Sequence, residues 1–141
     1  KIEINLGCPN VNSYSIDDKT LLRFTDKFPQ TIVKVSPTID IDFVRWLESC
    51  GIRTVHLSNT IPTDKGGVSG RELREVNIPL FNHITGWFRD SGMGFIAGGG
   101  IYTPEHIRQY KAVGAKSFSI STVCFTPWRI RSIVNEVYER K

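Results

Sequence analysis

The chain has no apolar run approaching about 18 residues, so no membrane-spanning helix is expected. Its three cysteines, Cys8, Cys50 and Cys124, are odd in number and form no C-x-x-C pair. That excludes the usual zinc spacing and a disulfide framework, and a reducing, cytoplasmic setting is the expectation. His56, His83 and His106 show neither H-x-H nor H-E-x-x-H spacing. They read as structural or exposed, and no metal is expected. No signal peptide is visible. A strand begins almost at once after Lys1, with no initiator Met, which suggests a chain missing its front. Charge of one sign is not concentrated either. A net charge of +4 is spread along the chain, with a modest cluster at Arg129, Arg131, Arg140 and Lys141. Solvated helix faces account for it, so a nucleic-acid partner is not expected.

What the 141 residues do have is regular alternation. Length allows one domain, and 40% hydrophobic residues suffice for a core. Strands are predicted at Ile2–Leu6, Thr31–Val35, Thr54–Ser58, Gly94–Ala97 and Ser117–Ser121. Helices are predicted at Asp17–Phe28, Asp40–Cys50 and Ile78–Ser91, from Thr103-Pro104 to Gly114, and from Thr126-Pro127 onward. Five βα units with short connections imply a parallel sheet, either a barrel or a doubly wound sheet. A closed (β/α)₈ barrel needs eight units and about 250 residues. The fold class expected is therefore α/β, with residues 1–141 forming the C-terminal five-eighths of a TIM barrel.

Polar or glycine signals follow each strand, and parallel α/β folds do their chemistry at such ends. The first strand runs into Asn5-Leu6-Gly7-Cys8-Pro9-Asn10. Cys8 is either a thiolate able to move a proton at carbon or a buried structural cysteine. Asn5 and Asn10 are suited to a planar polar ligand, or simply to a turn. Lys34 lies in an apolar β-branched strand, where an ammonium is costly unless it meets an anion or snorkels out. Ser58-Asn59-Thr60 ends the third strand. Gly66-Gly67-Val68-Ser69-Gly70 follows and can bring backbone N–H groups close to a ligand. Gly98-Gly99-Gly100 and Ser121-Thr122 follow the last two strands, where barrel phosphate sites are built from amides and a hydroxyl.

In this order the motifs resemble the dihydroorotate dehydrogenase family, the FMN-dependent enzymes of pyrimidine synthesis, over its C-terminal half. The family's Asn-Leu-Ser-Cys-Pro-Asn signature is similar to Asn5–Asn10, with Gly7 in place of serine. Its flavin-binding lysine corresponds to Lys34, its Asn-Thr pair to Asn59-Thr60, and its Gly-Gly-Leu-Ser-Gly loop to Gly66–Gly70. Its phosphate glycines correspond to Gly99-Gly100 and its final hydroxyl to Thr122. The chain departs from the family at Gly7 and Ala97-Gly98, and only Ile61–Lys65 separate the Asn-Thr pair from the glycine loop.

The resemblance implies oxidation of dihydroorotate, with Cys8 as base as in the soluble class 1 enzymes. It implies a substrate grip by Asn5, Asn10, Asn59 and Thr60. It further implies FMN held by Asn5, Lys34, Gly67, Ser69, Gly70, Gly99, Gly100, Ser121 and Thr122, and a homodimer when complete. Two alternatives stay open. Asn5–Pro9 and Pro127-Trp128 also resemble the tRNA-dihydrouridine synthases, and other pyrimidine-directed flavoenzymes share the superfamily. An open half-barrel that catalyses nothing and needs a partner is the reading from a different class.

Overall fold

The computed structural model describes residues 1–7, 16–58, 60–64 and 66–138. Five strands form one parallel sheet in chain order: β1 (Ile2–Asn5), β2 (Thr31–Val35), β3 (Thr54–Leu57), β6 (Gly94–Gly98) and β7 (Ser117–Ser119). Between β3 and β6 lies a separate antiparallel hairpin, β4 (Ile61–Thr63) and β5 (Gly66–Val68). A doubly wound sheet reverses its strand order at a switch point, and this sheet does not. The winding is that of a barrel.

The helices are α1 (Asp18–Lys27), α2 (Ile41–Ser49), α3 (Leu73–Trp87), α4 (Pro104–Ala112) and α5 (Ile130–Tyr138). Side-chain carboxylates start the first two. Asp17 accepts the Thr20 N–H at 2.7 Å, and Asp40 accepts that of Phe43 at 2.8 Å. The Trp46 indole N–H then donates to Asp18 at 2.8 Å, tying α2 to α1.

The two faces of the sheet differ. In β2, Thr31, Val33 and Val35 are buried, whereas Ile32 and Lys34 are only half-buried. Val33, Val35, Val55, Leu57 and Ala97 make the strand side of the core. Leu21, Val44, Leu47, Phe81, Ile84, Ile107 and Ile133 close it from the helices. Each such fully buried side chain contributes roughly 1.5–3 kcal/mol. The opposite, more open face carries the exposed Glu3 and Asn5, the half-buried Lys34 and the buried His56.

Several elements differ from the sequence expectation. The segment expected as a glycine loop forms the hairpin, with the Thr63 hydroxyl donating to the Gly66 carbonyl at 2.6 Å. Helix α3 begins at Leu73 rather than Ile78 and carries Pro79 inside it. A proline there removes a backbone bond and costs about 3 kcal/mol in a helix interior. Leu73, Asn77, Phe81 and Ile84 nevertheless form one continuous buried stripe across it. Pro79 and Glu75, whose carbonyl loses its donor, are both exposed, where solvent can replace that bond. The last strand ends at Ser119. Two 3₁₀ turns, Thr122–Phe125 and Pro127–Arg129, precede α5. Among the described residues, no helix is long and apolar enough to cross a membrane.

Candidate cofactor and substrate site

Parallel pairing brings the strand ends to one rim. Asn5 is in register with Lys34, Lys34 with His56, and His56 with Ile96. Because side chains alternate across a strand, these four share the open face. Lys34 therefore lies outside the apolar layer, which resolves the cost of an ammonium in a β-branched strand. Among the described residues its ammonium has no hydrogen bond or ion pair. Asn5 accepts the Gly7 N–H at 3.2 Å, which shapes the turn leaving β1.

His56, expected to be structural or exposed, is buried. Its Nδ1 lies 3.0 Å from a Glu3 carboxylate oxygen. Burial pushes its pKa below the ordinary value. The Glu3 bond and charge oppose that shift, and the Lys34 charge adds to it. The ring is thus neutral near pH 7. A carboxylate can only accept, so the proton is on Nδ1. Nε2 is buried and has no partner among the described residues. A Cβ at Gly98 would stand 3.2 Å from Nε2 and 2.7 Å from the Ser58 Oγ. The glycine there makes room for both side chains.

The glycine loop after β6 is aimed by two helices. Asn77 on α3 donates its amide to the Gly98 carbonyl at 2.8 Å. The Tyr110 hydroxyl on α4 lies 2.7 Å from the Gly98 carbonyl and 2.9 Å from that of Gly99. Burial pushes the Tyr110 pKa far up, so the phenol stays protonated and donates. No peptide described is cis. In a trans peptide, the C=O and the following N–H point in opposite directions. With both carbonyls drawn toward the helices, the N–H groups of Gly99 and Gly100 turn away from them.

Both glycines have positive φ, 90° and 70°. A Cβ at Gly99 would lie 2.2 Å from the Asn77 amide nitrogen, and one at Gly100 would lie 2.9 Å from the Arg71 carbonyl oxygen. Just past the end of the neighbouring strand β7, where a 3₁₀ turn begins, the Ser121 and Thr122 hydroxyls have no partner among the described residues. Two turned amides beside free hydroxyls suit a phosphoryl group. The residues present fit the phosphate end of FMN.

The structure places Asn5 and Lys34 in register on β1 and β2, and places Gly99-Gly100 and Ser121-Thr122 just past the ends of the paired strands β6 and β7. Gly70 is buried, with φ 91°, and packs near the Tyr102 hydroxyl. Gly67 and Ser69 are exposed, and no hydrogen bond among the described residues joins them to the strand ends. Thr60 is half-buried just after β3. Cys8, Asn10 and Asn59 lie outside the described residues. A cavity of about 620 Å³ opens at the opposite end of the sheet, lined by Phe88, Gly94, Lys116 and Ser117 among others. None of the rim groups lines it.

Sequence reasoning missed Glu3, His56, Asn77 and Tyr110. Glu3 and His56 had a signal: polar residues at alternating positions in consecutive strands. Asn77 and Tyr110 had none, because only helix placement shows that they reach the loop.

No family model matches the chain. Curated relatives do. A Listeria monocytogenes protein named dihydroorotate dehydrogenase B (NAD(+)), catalytic subunit, is 24% identical over 165 residues, covering 99% of this chain and 53% of that protein. Its namesake from Oceanobacillus iheyensis is 24% identical over 164 residues, covering 98% and 53%. The chain spans about half the length of these relatives. Among solved structures, ligand-free DHODH from Eimeria tenella matches with a TM-score of 0.73 and 19% identity, covering 96% of this chain and 49% of that one. Its complex with ferulenol matches with a TM-score of 0.73 and 17% identity. The fold is a parallel α/β arrangement shared with part of a barrel. The chain is similar to dihydroorotate dehydrogenases in both sequence and fold.

Proposed function

We propose that residues 1–141 form the C-terminal part of an FMN-dependent dihydroorotate dehydrogenase of the soluble, cysteine-using class. The observation that carries this reading is the rim itself. A cation and an amide, Lys34 and Asn5, stand in register on one side, and two turned glycine amides stand on the other. The relatives' names support the substrate. When bound, FMN supplies the acceptor for the hydride leaving C6 of dihydroorotate.

The chain's own residues do the rest. Cys8 takes the proton from C5 as a thiolate. Asn5, Asn10, Asn59 and Thr60 grip the polar edge of the pyrimidine and orient C6. Lys34 places its charge beside the electron-rich edge of the cofactor ring. Gly99, Gly100, Ser121 and Thr122 hold the phosphate, with Gly67, Ser69 and Gly70 closing over the cofactor from the hairpin side. The complete enzyme is a cytoplasmic homodimer with no nucleic-acid partner.

The test is anaerobic reduction of the flavin by dihydroorotate in the native-length protein. The wild type should bleach. Cys8→Ser should retain FMN and bleach at least about 100-fold more slowly. Unchanged bleaching in that variant would remove Cys8 from the base role. A protein that binds no flavin would leave the non-catalytic half-barrel as the better reading.

A further inference from the structure

Two buried side-chain atoms lack a partner among the described residues, His56 Nε2 and Asn77 Oδ1. Asn77 belongs to the glycine loop. His56 belongs to nothing yet described. With Nδ1–H given to Glu3, Nε2 carries a lone pair and needs a donor, and leaving it unmet costs about 1–3 kcal/mol. Two donors are near. Neither bonds the ring in the arrangement described. Ser58 shares the crowded space above Gly98, but its hydroxyl sits on a short side chain with little freedom to reach further. Lys34 is the register neighbour of His56 on the same open face, has four methylenes of reach, and has no partner among the described residues. A neutral imidazole is the acceptor such a cation can use without a buried like charge.

We infer that Glu3 and His56 form a positioning pair for Lys34. Glu3 holds the imidazole in the Nδ1–H tautomer, and Nε2 accepts a hydrogen bond from the Lys34 ammonium, pinning that cation at the rim. His56 acts through Lys34 and is a positioning residue, not a catalytic one. The use a bound cofactor makes of the pinned cation rests on the dehydrogenase reading, whereas the hydrogen bond itself does not.

The test is long-range ¹H–¹⁵N NMR of the imidazoles in the native-length protein at neutral pH, with no flavin or substrate added. The wild type should show His56 as the Nδ1–H tautomer. Its Nε2 resonance should shift toward that of an unbonded nitrogen in Lys34→Met and return in Lys34→Arg, which restores a cationic donor. Ser58→Ala should leave it unmoved. An Nε2–H tautomer, or an Nε2 resonance that ignores Lys34→Met, would overturn the proposal. So would one that responds to Ser58→Ala alone. Lys34 is half-buried on the open face, so its variants keep the core intact. The measurement reads the same whether or not the protein oxidises dihydroorotate.

Discussion

Tyr110 holds Gly99 from behind. Its hydroxyl, on α4, meets the Gly99 carbonyl at 2.9 Å, and that contact faces the Gly100 N–H away from the helical layer. The residue that aims the Gly100 amide, proposed to hold phosphate, is therefore a buried core tyrosine. Tyr110→Phe keeps the packing and removes the donor. The Gly98 carbonyl retains Asn77, and the Gly99 carbonyl is left alone. We expect a stability loss of about 1–3 kcal/mol by urea unfolding. FMN should also bind about tenfold more weakly by fluorescence titration. Unchanged FMN affinity would show that the amides are held some other way.

Gly98 and Ser58 are matched in size. Gly98→Ala would put a methyl 2.7 Å from the Ser58 hydroxyl oxygen and 2.8 Å from its Cβ. Overpacking of this kind costs about 1–3 kcal/mol. The double variant Gly98→Ala/Ser58→Gly removes the clash and should recover part of that loss. Additive destabilisation in the double variant would show that the methyl meets something else.

Lys34 bears on both function and stability. Lys34→Met replaces a half-buried ammonium by an apolar side chain of similar length and leaves His56 Nε2 without its proposed donor. Stability should fall by about 1–3 kcal/mol in urea and recover in Lys34→Arg. Flavin reduction by dihydroorotate should fall about 100-fold or more. Reduction at the wild-type rate in Lys34→Met would remove Lys34 from the cofactor role.

Acid should weaken the fold through its histidines. Burial lowers the His56 pKa from its usual 6.5, and His106 shifts the same way through burial and the nearby Arg74 charge. The unfolded chain binds these protons more readily than the folded one. Stability is therefore whole above pH 6.5 and declines as pH drops below it. Asp17, whose carboxyl is held below 3.8 chiefly by the Thr20 bonds, matters only at lower pH. The urea midpoint should fall between pH 7 and pH 5. His56→Gln should flatten part of that slope, and His56→Gln/His106→Gln more of it. An unaltered slope in the double variant would assign the pH dependence to other groups.

The sequence alone carried the alternation of strands and helices, because β-branched runs and capped amphipathic segments each leave a local period. It also carried the strand-end polar residues, because a parallel sheet places every strand end on one rim. Asp17, Asp40 and Pro104 mark their helix starts for the same local reason. Helix α3 was legible only in part. Pro79 looks like a helix start to local rules, and only the buried stripe through Leu73 and Asn77 outweighs it. The choice of barrel winding over double winding belonged to strand order, which pairing across the sheet decides. So did the pairing of His56 with Glu3, 53 residues apart, and the reach of Asn77 and Tyr110 to the glycine carbonyls. Those contacts join residues distant in sequence, and no local period encodes which buried donor will find which carbonyl.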